Sequence, residues 1–471
     1  MIASIFNTFV NCFKIPELKS RIFFTLIVLA ICRLEAWIVI PGLDGHKLQE
    51  YFDNIRRTSG GGGVVGMYSM FTGGAVENCA VGALGIMPYI SATIVMQLLT
   101  AVVPSLSKLA REDGGRVKII KYSRYLTVLI CIGQGFFTAT TWEHPQKLQE
   151  FSGLSGDLLQ SMDHIWWYRI QTVMILTTAT LLLMWLGEQI TERGIGNGIS
   201  LIITVGILAR LPAAMTELRT MFFPASGEHH YMLTHAIALF FLLCFVVAAV
   251  IAVTQAQRKI PVQYAQRVVG RKMFGGTTSF LPLRLNFSGV MPIIFAGAIL
   301  MVPSTLFINI AANYPSLRFL GSIGSALRGD SLTYYVTYSL LILFFSYFWT
   351  ATQFNELQIS DDLKKNGGYI PGVRPGQATS AYLHNSMSRI TLAGAIFLTV
   401  IAILPMILSR QMGIPQQVAS FFGGTSMLIN VGVLLDTMRQ MESHLMMRHY
   451  DGFLRGGRGG KGSGPRLRGR L

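Results

Sequence analysis

Charge is scarce in this sequence, and negative charge especially so. Asp and Glu number 23 against 39 Lys and Arg, and charged residues make up only 13% of 471 positions while 51% are hydrophobic. Soluble domains carry roughly 25% charged residues, so composition argues against a water-soluble fold. Cysteine is sparse too. Cys12, Cys32, Cys79, Cys131 and Cys244 form no CxxC pair and read as small buried hydrophobes. Catalytic signatures are missing: there is no HExxH and no GxSxG. The glycine-rich tail fails the phosphate-loop pattern, because Gly462 stands where Ser or Thr must follow Lys461. Glu188 and Glu192 share a helical face at i and i+4, but adjacent Arg193 favours an ion-paired helix end over a cation site. His46, His144, His229 and His230 lack ligand spacing. No catalytic residue, metal or cofactor is expected.

What the chain has in quantity is long apolar runs. A hydrocarbon core of about 30 Å takes roughly 20 helical residues, and ten segments meet that need, near 20–40, 82–103, 122–140, 169–187, 199–217, 234–254, 288–310, 334–352, 389–408 and 421–443. The first is read as a retained helix, since Arg33 and Glu35 interrupt it and no small-residue cleavage site follows. Basic residues stay on the cytoplasmic side. With both termini inside, that side holds 28 of the 39 Lys and Arg and the other side 10, Arg33 lying within the first span. Cationic loops at 104–121 and 255–287, the latter without any acidic residue, suit a polyanionic partner such as lipid headgroups or RNA. Residues 450–471 read as a basic, glycine-rich, disordered tail.

The later spans carry almost no ionisable group. Segment 334–352 has only tyrosines, and 234–254 only His235 at its edge. Coupled transporters keep such groups near the midplane, so an apolar channel fits better than a secondary transporter for a small solute, the alternative reading.

Certain stretches are unusual for simple anchors. SGGGGVVGMYSMFTGGA at 59–75 makes a poor lipid-facing helix, so it lies outside the bilayer or inside protein, as a short half-helix folded into a funnel. In ALGIMPYISATIVMQLL, Pro88 is expected to kink the second span. The glycines of MWLGEQITERGIGNGIS, from Met184 to Ser200, form a tight turn that makes spans four and five antiparallel. Loop 362–379 places Lys364, Lys365 and Arg374 on a compact exposed tip.

With MFTGGA, ALGIMPYISA, MWLGEQITERGIGNGIS, GVRPG and FGGTS in order, the chain resembles the bacterial SecY family of protein translocase channel subunits from about Leu18 to His449. The resemblance implies an all-α membrane fold of ten helices in two pseudosymmetric five-helix halves around an hourglass pore, here 1–218 with the plug and 219–449 with the docking loops. It implies a channel that passes unfolded secretory polypeptides and releases membrane segments sideways. Carried over residue by residue, the plug runs from Met67 to Val81 with Phe71, Thr72, Gly73 and Gly74 at its centre. The pore ring takes Ile86, Ile90, Ile199, Ile203, Ile294 and Ile429. Ile86 and Ile90, like Ile199 and Ile203, stand i to i+4 on one face, though ordinary helix packing explains any single isoleucine. The lateral gate takes Ser91, Thr93, Gln97, Gln134 and Asn286, and docking takes Arg258, Lys259, Arg271, Lys272, Lys364, Lys365 and Arg374. Implied partners are SecE and SecG in a heterotrimer, the SecA ATPase, the ribosome, signal peptides and nascent chains, with SecDF, YidC and membrane lipid beside them. The implied location is the cytoplasmic (inner) membrane. Gln255 with Ala256, the FNELQ run at 354–358, Glu35, the tetrad Gly60 to Gly63 and the tail depart from the family pattern, and none is expected to touch the pore.

Overall fold

Helices occupy all ten expected positions. The computed structural model describes residues 15–51, 69, 72–112, 114–143, 158–159, 165–222, 233–264, 267–269, 272–274, 278–313, 317–327, 331–412, 418 and 425–455. In the first half they are α1 (Pro16–Leu34), α2 (Met87–Val102), α3 (Pro104–Arg111), α4 (Gly115–Glu143), α5 (Ile165–Arg193), α6 (Gly198–Leu208) and α7 (Leu211–Phe222). In the second they are α8 (Leu233–Gln255), α9 (Met291–Asn313), α10 (Arg318–Ala326), α11 (Leu332–Gln353), α12 (Glu356–Lys365), α13 (Gln377–Met412) and α14 (Thr425–Arg455). Among the described residues, five helical segments are long and apolar enough to cross a membrane by length and composition alone: Ile165–Arg193, Gly198–Phe222, His235–Gln255, Leu332–Lys365 and Gln377–Leu404. Phe240, Phe241 and Phe245 on α8 and Leu340 and Phe344 on α11 stand exposed, as lipid-facing side chains do.

Two expectations need correction. The first span stops at Leu34, short of residue 40, because the chain beyond it trades backbone hydrogen bonds with a returning segment: Gly82 N donates to the Glu35 carbonyl (3.1 Å), Val81 N to Ile38 (2.8 Å), and Ile40 N to Cys79 (3.0 Å). Pro88 does not kink the second span. It sits in the first turn of α2, where its missing N–H costs no hydrogen bond, and the sharp bend of 104° falls at Val103 between α2 and α3. Glu188, at the helix end expected to be ion-paired, pairs with Arg124 of α4 at 2.7 Å.

That pair has a counterpart. Arg169 at the start of α5 grips Glu143 at the end of α4 through two hydrogen bonds of 2.9 and 3.1 Å, so the antiparallel α4–α5 pair is pinned at both ends. The α5–α6 turn is as tight as its glycines suggest. A Cβ on Gly198 would lie 1.9 Å from the Gly187 carbonyl oxygen, and Asn197 caps α6 by accepting from Ser200 N at 3.3 Å. The fifth span is interrupted at Ala209 and Arg210, between α6 and α7. Helix α7 runs to Phe222, four residues past the expected boundary between the halves.

A small sheet adds to the helical fold. Strands β1 (Gln257–Tyr264), β4 (Thr278–Arg284) and β5 (Gly368–Tyr369) pair in the order β4-β1-β5, antiparallel throughout, while β2 (Arg267–Val269) and β3 (Lys272–Phe274) form a hairpin. Ile260 and Val262 alternate inward from β1 onto Leu283, Phe354, Ile370 and Leu383. The main apolar core draws on both halves, with α6 packed against α14 and Gly196 N donating to Gln440 Oε1 at 2.8 Å.

Replacing Gly198 by Ala forces α5 and α6 apart at a cost of about 1–3 kcal/mol. The midpoint of thermal unfolding in detergent falls for Gly198→Ala, whereas Gly133→Ala, with open space at its Cβ, leaves the midpoint unchanged or raises it.

Candidate functional site

The non-helical segment 72–86 fills the space between α1 and α6. Its backbone turns repeatedly, with Gly73 and Gly74 at φ of 63° and 94°. Gly73 is fixed by proximity as well as by conformation, since a Cβ there would meet an Arg33 guanidinium nitrogen and the backbone of Gly206 on α6. Arg33 Nη2 donates to the Gly73 carbonyl at 3.1 Å, and Gly74 N to Ser69 at 2.9 Å. Ser69 Oγ donates to Glu77 Oε1 at 2.6 Å, and Arg210 donates to both of those side chains. Thr72, Gly74 and Glu77 are buried. Of the expected plug, Met67 and Phe71 lie outside the described residues, as do Gly60 to Gly63.

The six isoleucines expected at the pore all belong to the main apolar core. Ile86 and Ile90 come from the start of α2, Ile199 and Ile203 from α6, Ile294 from α9 and Ile429 from α14. Five are buried. Ile199 is half-buried, its Cγ1 lying against Gly187 of α5. Ile90 N donates to the Ile86 carbonyl at 3.2 Å, which holds that pair on one helical face.

Ile86 and Ile203 line a cavity together with Gly206, Thr72, Arg33 and Glu35 among others. Glu35 therefore does reach the region of the expected pore. Its helix ends one residue earlier, so the side chain turns inward, and neither carboxylate oxygen has a hydrogen-bond partner among the described residues. Arg210 and Glu77 were also not singled out from sequence. Arg210 resembles an ordinary loop arginine until the break between α6 and α7 places it in the interior.

The expected gate residues divide between two helix pairs. Ser91, Thr93 and Gln97 lie on α2, which packs on α4 carrying Gln134; Asn286 lies just before α9, which packs on α11. Thr93 Oγ1 is taken by the Ile90 carbonyl of its own helix at 2.8 Å. Gln134 Oε1 and Asn286 Nδ2 are buried without a hydrogen-bond partner among the described residues, as is Asn430 Oδ1 beside Ile429.

Two basic loops that sequence treats separately come together. β5, between α12 and α13, pairs with β1, so exposed Arg258 and Lys259 on β1 share one platform with exposed Lys364, Lys365 and Arg374. Lys272 lies on β3, with only its backbone described, and Arg271 lies outside the described residues. No group of His, Cys, Asp and Glu with metal-binding geometry occurs among the described residues.

The fold and site together define a polytopic helical membrane protein with an apolar core and a buried, non-helical segment beside it. The SecY family model matches residues 80–438, and the chain belongs to the SecY family. Protein translocase subunit SecY of Thermus thermophilus is 42% identical over 461 residues, covering 96% of this chain and 98% of that protein. That of Chlamydia trachomatis serovar D is 40% identical over 454 residues, covering 94% and 97%. A solved structure of SecY, described for a plug domain that stabilises the closed state, aligns with a TM-score of 0.56 at 16% identity over 90% of this chain and 91% of that one. Sec61 from a canine ribosome-channel complex aligns with a TM-score of 0.51 at 16% identity over the same shares. The chain is thus a protein-conducting translocase channel subunit, and the small-solute transporter reading is set aside.

A buried polar group without a partner costs about 1–3 kcal/mol. Glu35→Met accordingly raises the unfolding midpoint of the detergent-solubilised protein, and a clear fall would show that the carboxylate has a partner.

Proposed function

We propose that the isoleucine cluster is the constriction through which unfolded polypeptides pass, and that segment 67–81 is the plug that closes it. One observation supports this reading: Ile86, Ile90, Ile203, Ile294 and Ile429, from both halves of the chain, are buried in one apolar core, and Ile86 and Ile203 line a cavity together with Thr72 of the segment and the Arg33 that holds it. Branched apolar side chains resist wetting, so such a ring blocks ions while offering a passing chain no specific contact to hold it. Ile199 contributes through its exposed side, the rest of it packing on α5.

The gate lies between the α2–α4 pair and the α9–α11 pair. Ser91, Thr93, Gln97, Gln134 and Asn286 line it, and the unpartnered Gln134 Oε1 and Asn286 Nδ2 support a seam that loses little hydrogen bonding on opening. An apolar signal sequence entering there binds the open state better than the closed one. Moving such an equilibrium from 1:99 to 99:1 takes about 5.5 kcal/mol of differential binding. Residues 1–218 and 219–449 act as the two five-helix halves that part during this step, and 450–471 as a cationic tail.

The platform bearing Arg258, Lys259, Lys364, Lys365 and Arg374, together with Arg271 and Lys272, receives a ribosome or the SecA motor. A guanidinium serves phosphate and carboxylate alike. The chain works with SecE and SecG in the cytoplasmic membrane, both termini in the cytoplasm, with SecDF and YidC as further partners. The loop charges support this orientation.

A photoreactive residue at Ile90, Ile203 and Ile294, with a secretory precursor arrested midway, tests the path. Crosslinks from all three to the precursor are expected; their absence, with lipid-facing controls behaving alike, removes the pore assignment. Serine at Ile86, Ile203 and Ile294 together is expected to raise resting ion conductance in planar bilayers, and unchanged conductance counts against the ring.

A further inference from the structure

The plug seat holds a charge arrangement that neither an apolar ring nor a docking platform requires. Glu77 and Arg210 form an ion pair at 2.5 Å with side chains only 7% and 13% exposed, and Ser69 joins it through hydrogen bonds to both. A second guanidinium, Arg33, holds the Gly73 carbonyl at 3.1 Å and lies within electrostatic reach of Arg210. Two cations from different elements thus converge on one short segment, and its single acidic side chain lies between Ser69 and Arg210.

We propose that Glu77, Arg210 and Arg33 form an electrostatic latch that keeps the channel closed, and that Arg210 ties the latch to the geometry of the fifth span. Arg210 occupies the two-residue break between α6 and α7. Its N–H donates to the Ile207 carbonyl at 3.1 Å and its carbonyl accepts from Ala214 N at 3.0 Å, so its position follows the angle between these helices. Helix α6 also carries Ile199 and Ile203 and presents Gly206 to the plug backbone. A motion that widens the constriction by shifting α6 therefore withdraws Arg210 from Glu77. The latch and the ring open as one event. Removing the carboxylate leaves two like charges beside each other with no counter-ion from the segment, so the seat loses its attraction and gains repulsion.

The inference rests on the channel reading, and the experiment separates the two. The full chain, purified with the subunits that accompany it, is reconstituted into sealed vesicles, and resting ion leak is recorded beside precursor uptake. Glu77→Gln and Arg210→Gln are each expected to raise the leak by about tenfold, the change that 1.4 kcal/mol makes in an equilibrium constant. The charge-swapped double variant, Glu77→Arg with Arg210→Glu, is expected to return the leak to within about twofold of the unaltered protein, because attraction in the buried pair is restored. Single variants that seal like the unaltered protein, or a swap that leaks as much as the singles, overturn the latch. Where a single variant fails to accumulate in the membrane, the swap decides: accumulation with a tight seal supports the latch, and absence or leak overturns it. Loss of precursor uptake by the unaltered protein overturns the channel reading instead.

Discussion

Backbone polar groups that leave a helix at membrane depth find no water, and every other feature of the site depends on how this chain meets that constraint. From Thr72 to Ile86 the backbone is not helical, yet it lies among buried residues. Its N–H and carbonyl groups are answered from within, by Glu35, Ile38 and Ile40 beyond α1 and by the guanidinium of Arg33. That exchange shortens α1, turns Glu35 inward, and brings Gly73 against Gly206 without intervening side chains. A helical α1 reaching residue 40 would leave the segment without the backbone partners it has at Glu35, Ile38 and Ile40.

The same constraint accounts for what was legible beforehand. Spans of about 20 apolar residues must be helical in lipid, so all ten helix positions could be read from hydropathy. The GIGNG turn was legible because only glycine fits beside the Gly187 carbonyl. The isoleucines could be listed by resemblance, but their convergence is tertiary, and the half-buried state of Ile199 against Gly187 followed only from helix packing.

Other features had no local signal. Pro88 reads as a kink in any apolar run, and only the true start of α2 turns it into a first-turn residue. The β1–β5 pairing links residues about a hundred positions apart, beyond the reach of a two-residue periodicity within a cationic loop. Arg210 was hidden for a different reason. A charge near the end of an apolar span looks like a boundary marker, and its pairing with Glu77 exists only because a helix breaks one residue before it.

The β4-β1-β5 sheet is built entirely from the chain after α8, its strands spanning 257–284 and 368–369, and its apolar side rests on Phe354, Leu383 and Met387. It is therefore a handle fixed to one jaw. A load applied to it is delivered through α8, α9, α12 and α13 to the second half alone, while the first half is touched mainly along the α6–α14 contact. A rigid load on the sheet is therefore carried first by the second half, and it reaches the first half mainly where α6 and α14 pack together.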